Sequence, residues 1–316
     1  MKTKNTLITV AAIFAAMGLQ AASSTTPIHI GTVKVGDAGN LGDTGGTVGK
    51  GAVAYNYYIS TTEVTAGQYT AFLNAVASTS DAHALYSTNM INNGHGCGIT
   101  RTTNEDGSFT YTASRGENLP VNFVSAYDAM RFCNWLSTGD TEVGVYMLNN
   151  AANDISLVTR NNDAWLAGGI ALASLDEWYK AAFYNGDTKT YSLYANGTNI
   201  TPTADEANYK ISGFGTITDA DFGAASFYGT LGQNGNLWEW TDTVTGSSDR
   251  VYLRGGGYPS AEASLRASAN DTESAALDTY TYGFRVTSLQ PIPEPSTYAA
   301  IFGLLTLAIA IYRRKK

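Results

Sequence analysis

The residues best placed to do chemistry lie in Gly235-Asn236-Leu237-Trp238-Glu239-Trp240. Glycine and asparagine both tolerate positive φ, so the pair reads as a turn. The alternation that follows has the period of a short strand, with Trp238 and Trp240 on one face and Leu237 and Glu239 on the other. A carboxylate fixed beside a turn and next to large aromatic surface is either a buried hydrogen-bond anchor or an oxygen ligand for a hard cation. The competing reading is a tryptophan-rich core strand with a solvated glutamate.

Few other groups offer chemistry. The chain has no His/Cys cluster with zinc spacing, no Gly-x-Ser-x-Gly elbow and no dinucleotide fingerprint after a strand. Asp176 and Glu177 fall in the first turn of a predicted helix, where the macrodipole favours them without a catalytic role. The glycine-rich run from Gly36 to Gly51 carries Asp37, Asn40 and Asp43. It fits neither a phosphate loop nor a calcium loop, because Gly51 follows Lys50 and the aspartates lack one-residue spacing. A flexible surface loop is expected there. The only cysteines are Cys97 and Cys133, and whether they pair is left open. His95-Gly96-Cys97 reads as a surface loop rather than a metal corner, in a chain with three histidines.

Three helices must position these groups, each opened by the same signal. Thr65-Ala66-Gly67-Gln68 is a capping box followed by Tyr69, Phe72, Leu73 and Val76 at helical spacing. Ser125 to Asp128 resembles a second N-cap leading into Met130, Cys133 and Leu136, which puts Cys133 on an apolar stripe as a small hydrophobe. Ser174-Leu175-Asp176-Glu177 is a third box, with Trp178, Tyr179 and Ala182 on one face. Gly283-Phe284-Arg285-Val286 reads as the last strand. The remainder is rich in glycine, asparagine and tyrosine, so the expectation is an irregular α+β fold with little regular structure, held by turns, aromatics and ions.

The ends of the chain speak to location. Lys2 and Lys4 precede an apolar run from Leu7 to Leu19 and then Gln20-Ala21-Ala22-Ser23. This is the pattern of a signal peptide over residues 1–22, cut near Ala21 or Ala22. At the other end Pro293-Glu294-Pro295 precedes an uncharged stretch from Tyr298 to Tyr312 and the cluster Arg313-Arg314-Lys315-Lys316. Fifteen helical residues rise about 22 Å, short of a ~30 Å hydrocarbon core. The basic cluster is a stop-transfer signal, giving a transmembrane helix that holds the chain only in transit. Without Lys2, Lys4 and the four terminal cations, 13 cations face 27 anions, a net charge of −14. That disfavours nucleic acid and anionic membrane surfaces as partners.

The residue patterns also carry two resemblances. Residues 289–316 resemble the PEP-CTERM sorting signal of Gram-negative bacteria, with Pro293, Glu294 and Pro295 as its motif. That implies recognition by an exosortase, loss of the tail, and release or attachment at the outer surface. Tyr58 to Thr65, Pro120 to Ser125, Ser174 to Ala182, Gly235 to Trp240, Leu253 to Tyr258 and Gly283 to Val286 occur in order. Together they resemble the formylglycine-generating enzyme family, the sulfatase-modifying factors, over residues 31–288. The resemblance implies a compact, irregular fold related to C-type lectins. Active oxidases of that family convert a sulfatase cysteine to formylglycine, using oxygen and copper(I) held by two thiolates. Here the corresponding window, Pro259 to Ser268, holds no cysteine, and Ser260 stands near the first ligand position. A neutral hydroxyl is a poor copper(I) ligand, so copper is not expected.

The family also carries structural calcium. The resemblance places one site at the carbonyls of Gly235 and Leu237 and the carboxylate of Glu239, with Gly232 where a side-chain donor is expected. A second would use Asn208, the carbonyl of Tyr209, and Asp219 or Asp221. The resulting expectation is an exported, surface-sorted, non-catalytic module that binds a protein or an extracellular polysaccharide, or builds the matrix. The alternative is a formylglycine-generating oxidase. One outcome is measurable at once: the intact mass of the secreted protein should lack both the leader and the residues after Pro295, and a full-length mass contradicts the sorting expectation.

Overall fold

The computed structural model describes residues 28–148 and 154–292. The signal peptide and the sorting motif with its helix lie outside the described residues. Among those described, no helix is long and apolar enough to cross a membrane.

Among the described residues helix and strand account for 19% and 20%, so most of that backbone must find its partners in turns. The helices are α1 (Ala66–Val76), α2 (Asn89–Asn92), α3 (Ala126–Thr138), α4 (Asn162–Leu166) and α5 (Leu175–Phe183). The three predicted helices start where their caps require. Thr65, Ser125 and Ser174 each accept from the backbone N–H three residues on, and Gln68, Asp128 and Glu177 reach back to the cap N–H. Those reciprocal bonds satisfy two donors that a helix otherwise leaves open. The short helices α2 and α4 carry too few turns for a periodic signal.

The strands are β1 (Thr32–Val35), β2 (Tyr57–Ser60), β3 (Ile99–Thr103), β4 (Phe109–Ala113), β5 (Ala171–Leu172), β6 (Tyr184–Asn185), β7 (Thr190–Tyr191), β8 (Trp238–Val244), β9 (Arg250–Arg254), β10 (Asp271–Ser274), β11 (Tyr282–Phe284) and β12 (Val286–Ser288). One antiparallel sheet has the order β1-β2-β12-β5, and a second has the order β10-β9-β8-β11 with β8 and β11 parallel. The expected single strand at Gly283 to Val286 is therefore two. The chain leaves the second sheet at Phe284 and joins the first at Val286, and Arg285 alone lies between them.

Aromatic side chains fill the core. Tyr69, Phe72, Phe132 and Phe284 meet mostly edge to face under α1 and α3, with ring centroids 5.3–6.0 Å apart. A second apolar cluster gathers Val35, Tyr57, Ile59, Trp178, Tyr179 and Phe183 around α5. The glycine-rich loop lies at the surface but is tied down rather than free. Asp43 accepts from the N–H groups of Gly45 and Gly46 and from the Tyr179 hydroxyl. Asp37 takes Tyr184 and Lys189, and Tyr191 donates to the carbonyls of Leu41 and Gly51. Local spacing gave no sign of these bonds, because every side-chain partner except Asp37 and Asp43 lies more than 100 residues away.

Cys97 and Cys133 are both free and fully buried, and Cys133 lies on the apolar stripe of α3. Glu177 is also fully buried, where it receives both terminal nitrogens of Arg160 at 2.6 and 3.0 Å and the Tyr55 hydroxyl at 2.7 Å. Its place in the capping box and in this ion pair makes the α5 start a structural joint. Replacing Ser174 with alanine removes one cap bond and should lower the unfolding free energy by about 1 kcal/mol in a urea titration. An unchanged midpoint would mean the cap carries no stability.

Candidate functional site

The turn forms as its residues require. Gly235 and Asn236 have φ of 91° and 60°. A Cβ at Gly235 would lie 2.1 Å from the Asn208 carbonyl oxygen, so no side chain fits there. The Asn236 carboxamide holds the neighbouring segment, accepting from Thr218 N–H at 3.0 Å and donating to the Thr218 carbonyl and to Glu63 Oε1, each at 3.2 Å. Its backbone N–H donates to the Asn208 carbonyl at 2.7 Å.

Glu239 is not solvated; it is fully buried, as are Leu237 and Trp240, while Trp238 is half-buried. In the sheet it stands between Arg254 of β9 and Gly283 of β11. Its carboxylate receives Arg285 in bidentate fashion, Nε to Oε2 at 2.5 Å and Nη2 to Oε1 at 2.7 Å. Trp178 Nε1 donates to Oε2 at 2.8 Å. The hydrogen-bond anchor of the sequence reading is present, and it is an ion pair. Arg285 spends its other donors on carbonyls, Ser60 at 3.1 Å and Leu231 at 2.7 Å. With water excluded, removing one member leaves the other as an uncompensated charge. Glu239→Gln, measured by urea unfolding in EDTA, should lose about 3–5 kcal/mol. The surface control Asp187→Asn should stay within about 0.5 kcal/mol. Equal, small effects would contradict the ion-pair assignment.

The two calcium donor sets fit unequally. Glu239 Oε1 accepts one donor and Oε2 accepts two. A carboxylate has four acceptor sites, so Oε1 keeps one to offer. Beside the same turn Glu63 is fully buried, and its Oε2 has no hydrogen-bond partner. Burial and the charge of Glu239 push its carboxyl well above the usual range, with Arg285 pulling the other way. A buried, unsatisfied carboxylate oxygen beside the turn is the kind of donor a hard cation takes. There Gly235, Leu237 and Glu239 would hold calcium, which would supply charge balance and rigidity.

The second set is already satisfied. The Ser212 hydroxyl lies 2.9 Å from Asn208 Oδ1 and 2.8 Å from the Tyr209 carbonyl, at the point where both donors converge. The Asn208 amide turns to Thr216 and Asn236. Asp219 and Asp221 are exposed, and Asp221 pairs with Asn118. Asn208, Tyr209 and Asp219 therefore do not form a donor set that needs an ion.

The window from Pro259 to Ser268 contains a 3-10 turn, Glu262–Leu265. Ser260 Oγ accepts from the Gly257 N–H at 3.0 Å, which closes the turn on itself. Burial pushes the thiols of Cys97 and Cys133 up, so each is held neutral. Copper(I) is bound by thiolates, and these two buried thiols are not a fit for it. His95 is exposed, and its ring faces Tyr258 at the start of the window, 5.6 Å away and stacked, and Tyr280, 5.5 Å away. Asn122 donates to the carbonyls of His95 and Tyr280, and its oxygen accepts from the Cys97 N–H. Trp238 packs beside Gly257, where an added Cβ would be 3.4 Å from its ring. The result is an aromatic cluster of His95, Tyr280 and the buried Tyr258, with Trp238 beside the neighbouring Gly257. The sequence reading took His95 as part of a surface loop rather than a metal corner, and the ring is exposed. These residues come from four separate segments, so no local motif announces them.

Comparison with curated proteins gives no significant relative. Among solved structures the chain is similar to one titled "Crystal Structure of CarF", with 24% identity, TM-score 0.60, and 84% of this chain and 100% of that one covered. It is also similar to Treponema denticola variable protein 1, with 20% identity, TM-score 0.55, and 84% and 97% covered. At these identities the likeness is one of fold. The sulfatase-modifying factor enzyme 1-like domain matches residues 14–289. With the irregular α+β architecture, the Gly235 to Trp240 turn and strand, and the match over most of its length, the chain belongs to the sulfatase-modifying factor family.

Proposed function

We propose that this protein is an exported, surface-sorted member of its family that binds a ligand without oxidising it. The observation that carries the reading is the window beside Tyr258. Where the resemblance places copper thiolates there is a closed serine turn, and the groups facing it are aromatic rings. Aromatic faces held by a rigid frame suit the apolar faces of sugar rings or peptide side chains. A net charge of −14 without the leader and basic tail favours neutral polymers over polyanions. The signal peptide, Pro293, Glu294 and Pro295, and the basic terminus support export, recognition by an exosortase, passage through the inner membrane and display outside a Gram-negative cell. Matrix structure is the same chemistry acting in many copies. Formylglycine generation is the other activity that family membership offers.

Affinity electrophoresis of the secreted protein in gels cast with neutral polysaccharides tests the binding reading. Retardation by at least one polymer is expected, with an affinity loss of about tenfold in Tyr280→Ala, worth 1.4 kcal/mol. Retardation that Tyr280→Ala and Trp238→Ala leave unchanged would remove the patch from the account. Aldehyde formation on a Cys-x-Pro-x-Arg peptide with copper(I) and oxygen would establish the oxidase instead.

A further inference from the structure

The glycine-rich loop and the β6–β7 hairpin face each other across a surface cavity of about 550 Å³. That volume falls within the ~300–1,000 Å³ of small-molecule sites. Asp37 and Asn40 wall it from the loop, and Tyr184, Lys189 and Tyr191 wall it from the hairpin. Asp37 and Lys189 both have a φ of 59°, a backbone conformation that side chains rarely adopt. Aspartate tolerates that region, but lysine at a hairpin end stands where glycine is the ordinary choice. The Lys189 ammonium reaches across to Asp37 Oδ1 at 2.7 Å, and the Tyr184 hydroxyl donates to Oδ2. Backbone strain of this kind collects at ligand sites.

We propose that this cavity is a saccharide subsite, where a neutral sugar lays its C–H face on Tyr191 and shares adjacent hydroxyls between Asp37 and Lys189. The polar groups suit hydroxyls. The Asp37 carboxylate has acceptor sites beyond those that Lys189 and Tyr184 use, and the Lys189 ammonium has donors beyond the one given to Asp37. Solvent reaches both side chains, 29% and 58% exposed. Each sugar hydroxyl donates and accepts, so a carboxylate beside an ammonium answers both roles. The Tyr191 hydroxyl is engaged with the carbonyls of Leu41 and Gly51 and with Asn40, which leaves its ring to line the cavity. Those bonds hold the wall in place before a ligand arrives, and preorganisation lowers the cost of binding. The charges balance as well. Asp37 and Asp43 stand against Lys189 and the buried Lys180, whose ammonium donates to the Asp37 carbonyl at 2.8 Å. Balanced charge favours a neutral ligand over a uronate or an amine.

The loop that walls the cavity also touches the far end of the window that begins after Tyr258, because Thr47 Oγ1 donates to the Ala267 carbonyl at 2.9 Å. The subsite shares its polysaccharide partner with the reading of the aromatic cluster but none of its residues, so the two stand or fall separately. The full secreted chain is titrated with glucose, galactose, mannose and N-acetylglucosamine, with glucuronate and glucosamine as charged controls, and binding is read by saturation-transfer NMR. At least one neutral sugar should bind, and more tightly than the charged controls. Lys189→Gly should weaken that sugar by about tenfold or more. The fold should survive, because glycine takes positive φ freely and an exposed ion pair adds little stability. Asp37→Asn should weaken the sugar to a similar extent, while Tyr280→Ala should leave it unchanged. A parent chain that binds no neutral sugar with a Kd below about 10 mM overturns the assignment. Binding of glucuronate alone overturns it too, as does a sugar affinity that neither Lys189→Gly nor Asp37→Asn changes. Polymer retardation that is lost in Lys189→Gly but kept in Tyr280→Ala would uphold the subsite and remove the cluster.

Discussion

The structure depends on one guanidinium. Arg285 is the single residue between β11 and β12, where the chain passes directly from the second sheet to the first. Its side chain spans the same gap. It grips Glu239 in the middle of the second sheet, and it donates to the Ser60 carbonyl at the end of β2 in the first. A third bond fixes Leu231, at the start of the loop that leads to the turn. A planar fork with five donors reaches these three partners from fixed positions, whereas an ammonium offers three donors from a single point and cannot bind the carboxylate as a bidentate fork. Because the pair is fully buried, its desolvation must be matched by every one of these bonds. That requirement fixes the two sheets relative to each other.

The rest of the site follows from that frame. With β8 and the end of β2 fixed, the Gly235-Asn236 turn closes against Asn208 with no room for a Cβ. Asn236 then faces Glu63 on one side, and its carbonyl accepts the Tyr258 N–H on the other. One residue therefore links the buried carboxylate pocket to the start of the window where relatives are expected to bind copper. The Glu63 and Glu239 side chains are fully buried, while the rings beside the window, His95 and Tyr280, are exposed.

Much of this was legible in order along the chain. The capping boxes at Thr65, Ser125 and Ser174 predicted three helix starts because capping is a contact over three residues. The positive φ at Gly235 and Asn236 was legible because it follows from residue type. The solvated reading of Glu239 failed because its partner is 46 residues on, and spacing says nothing about such pairs. Gly283 to Val286 looked like one strand because a crossover of one residue leaves the apolar pattern unbroken. Glu63 was visible only as part of a family segment, and Gly232 only as a deficit. That a Cβ at Gly232 would lie 2.2 Å from Glu63 Oε2 is a fact of packing. The aromatic patch and the ties of the glycine-rich loop were hidden for the same reason.

The claim that Arg285 and Glu239 act as one unit is tested most directly by a double-mutant cycle. The unfolding free energies of Arg285→Met, Glu239→Gln and the double variant would be measured in EDTA. If the pair is the staple, each single variant leaves an unpaired buried group. The double variant should then be less destabilised than the sum of the two by at least about 2 kcal/mol. Free energies that add within about 0.5 kcal/mol would show two independent residues and contradict the account.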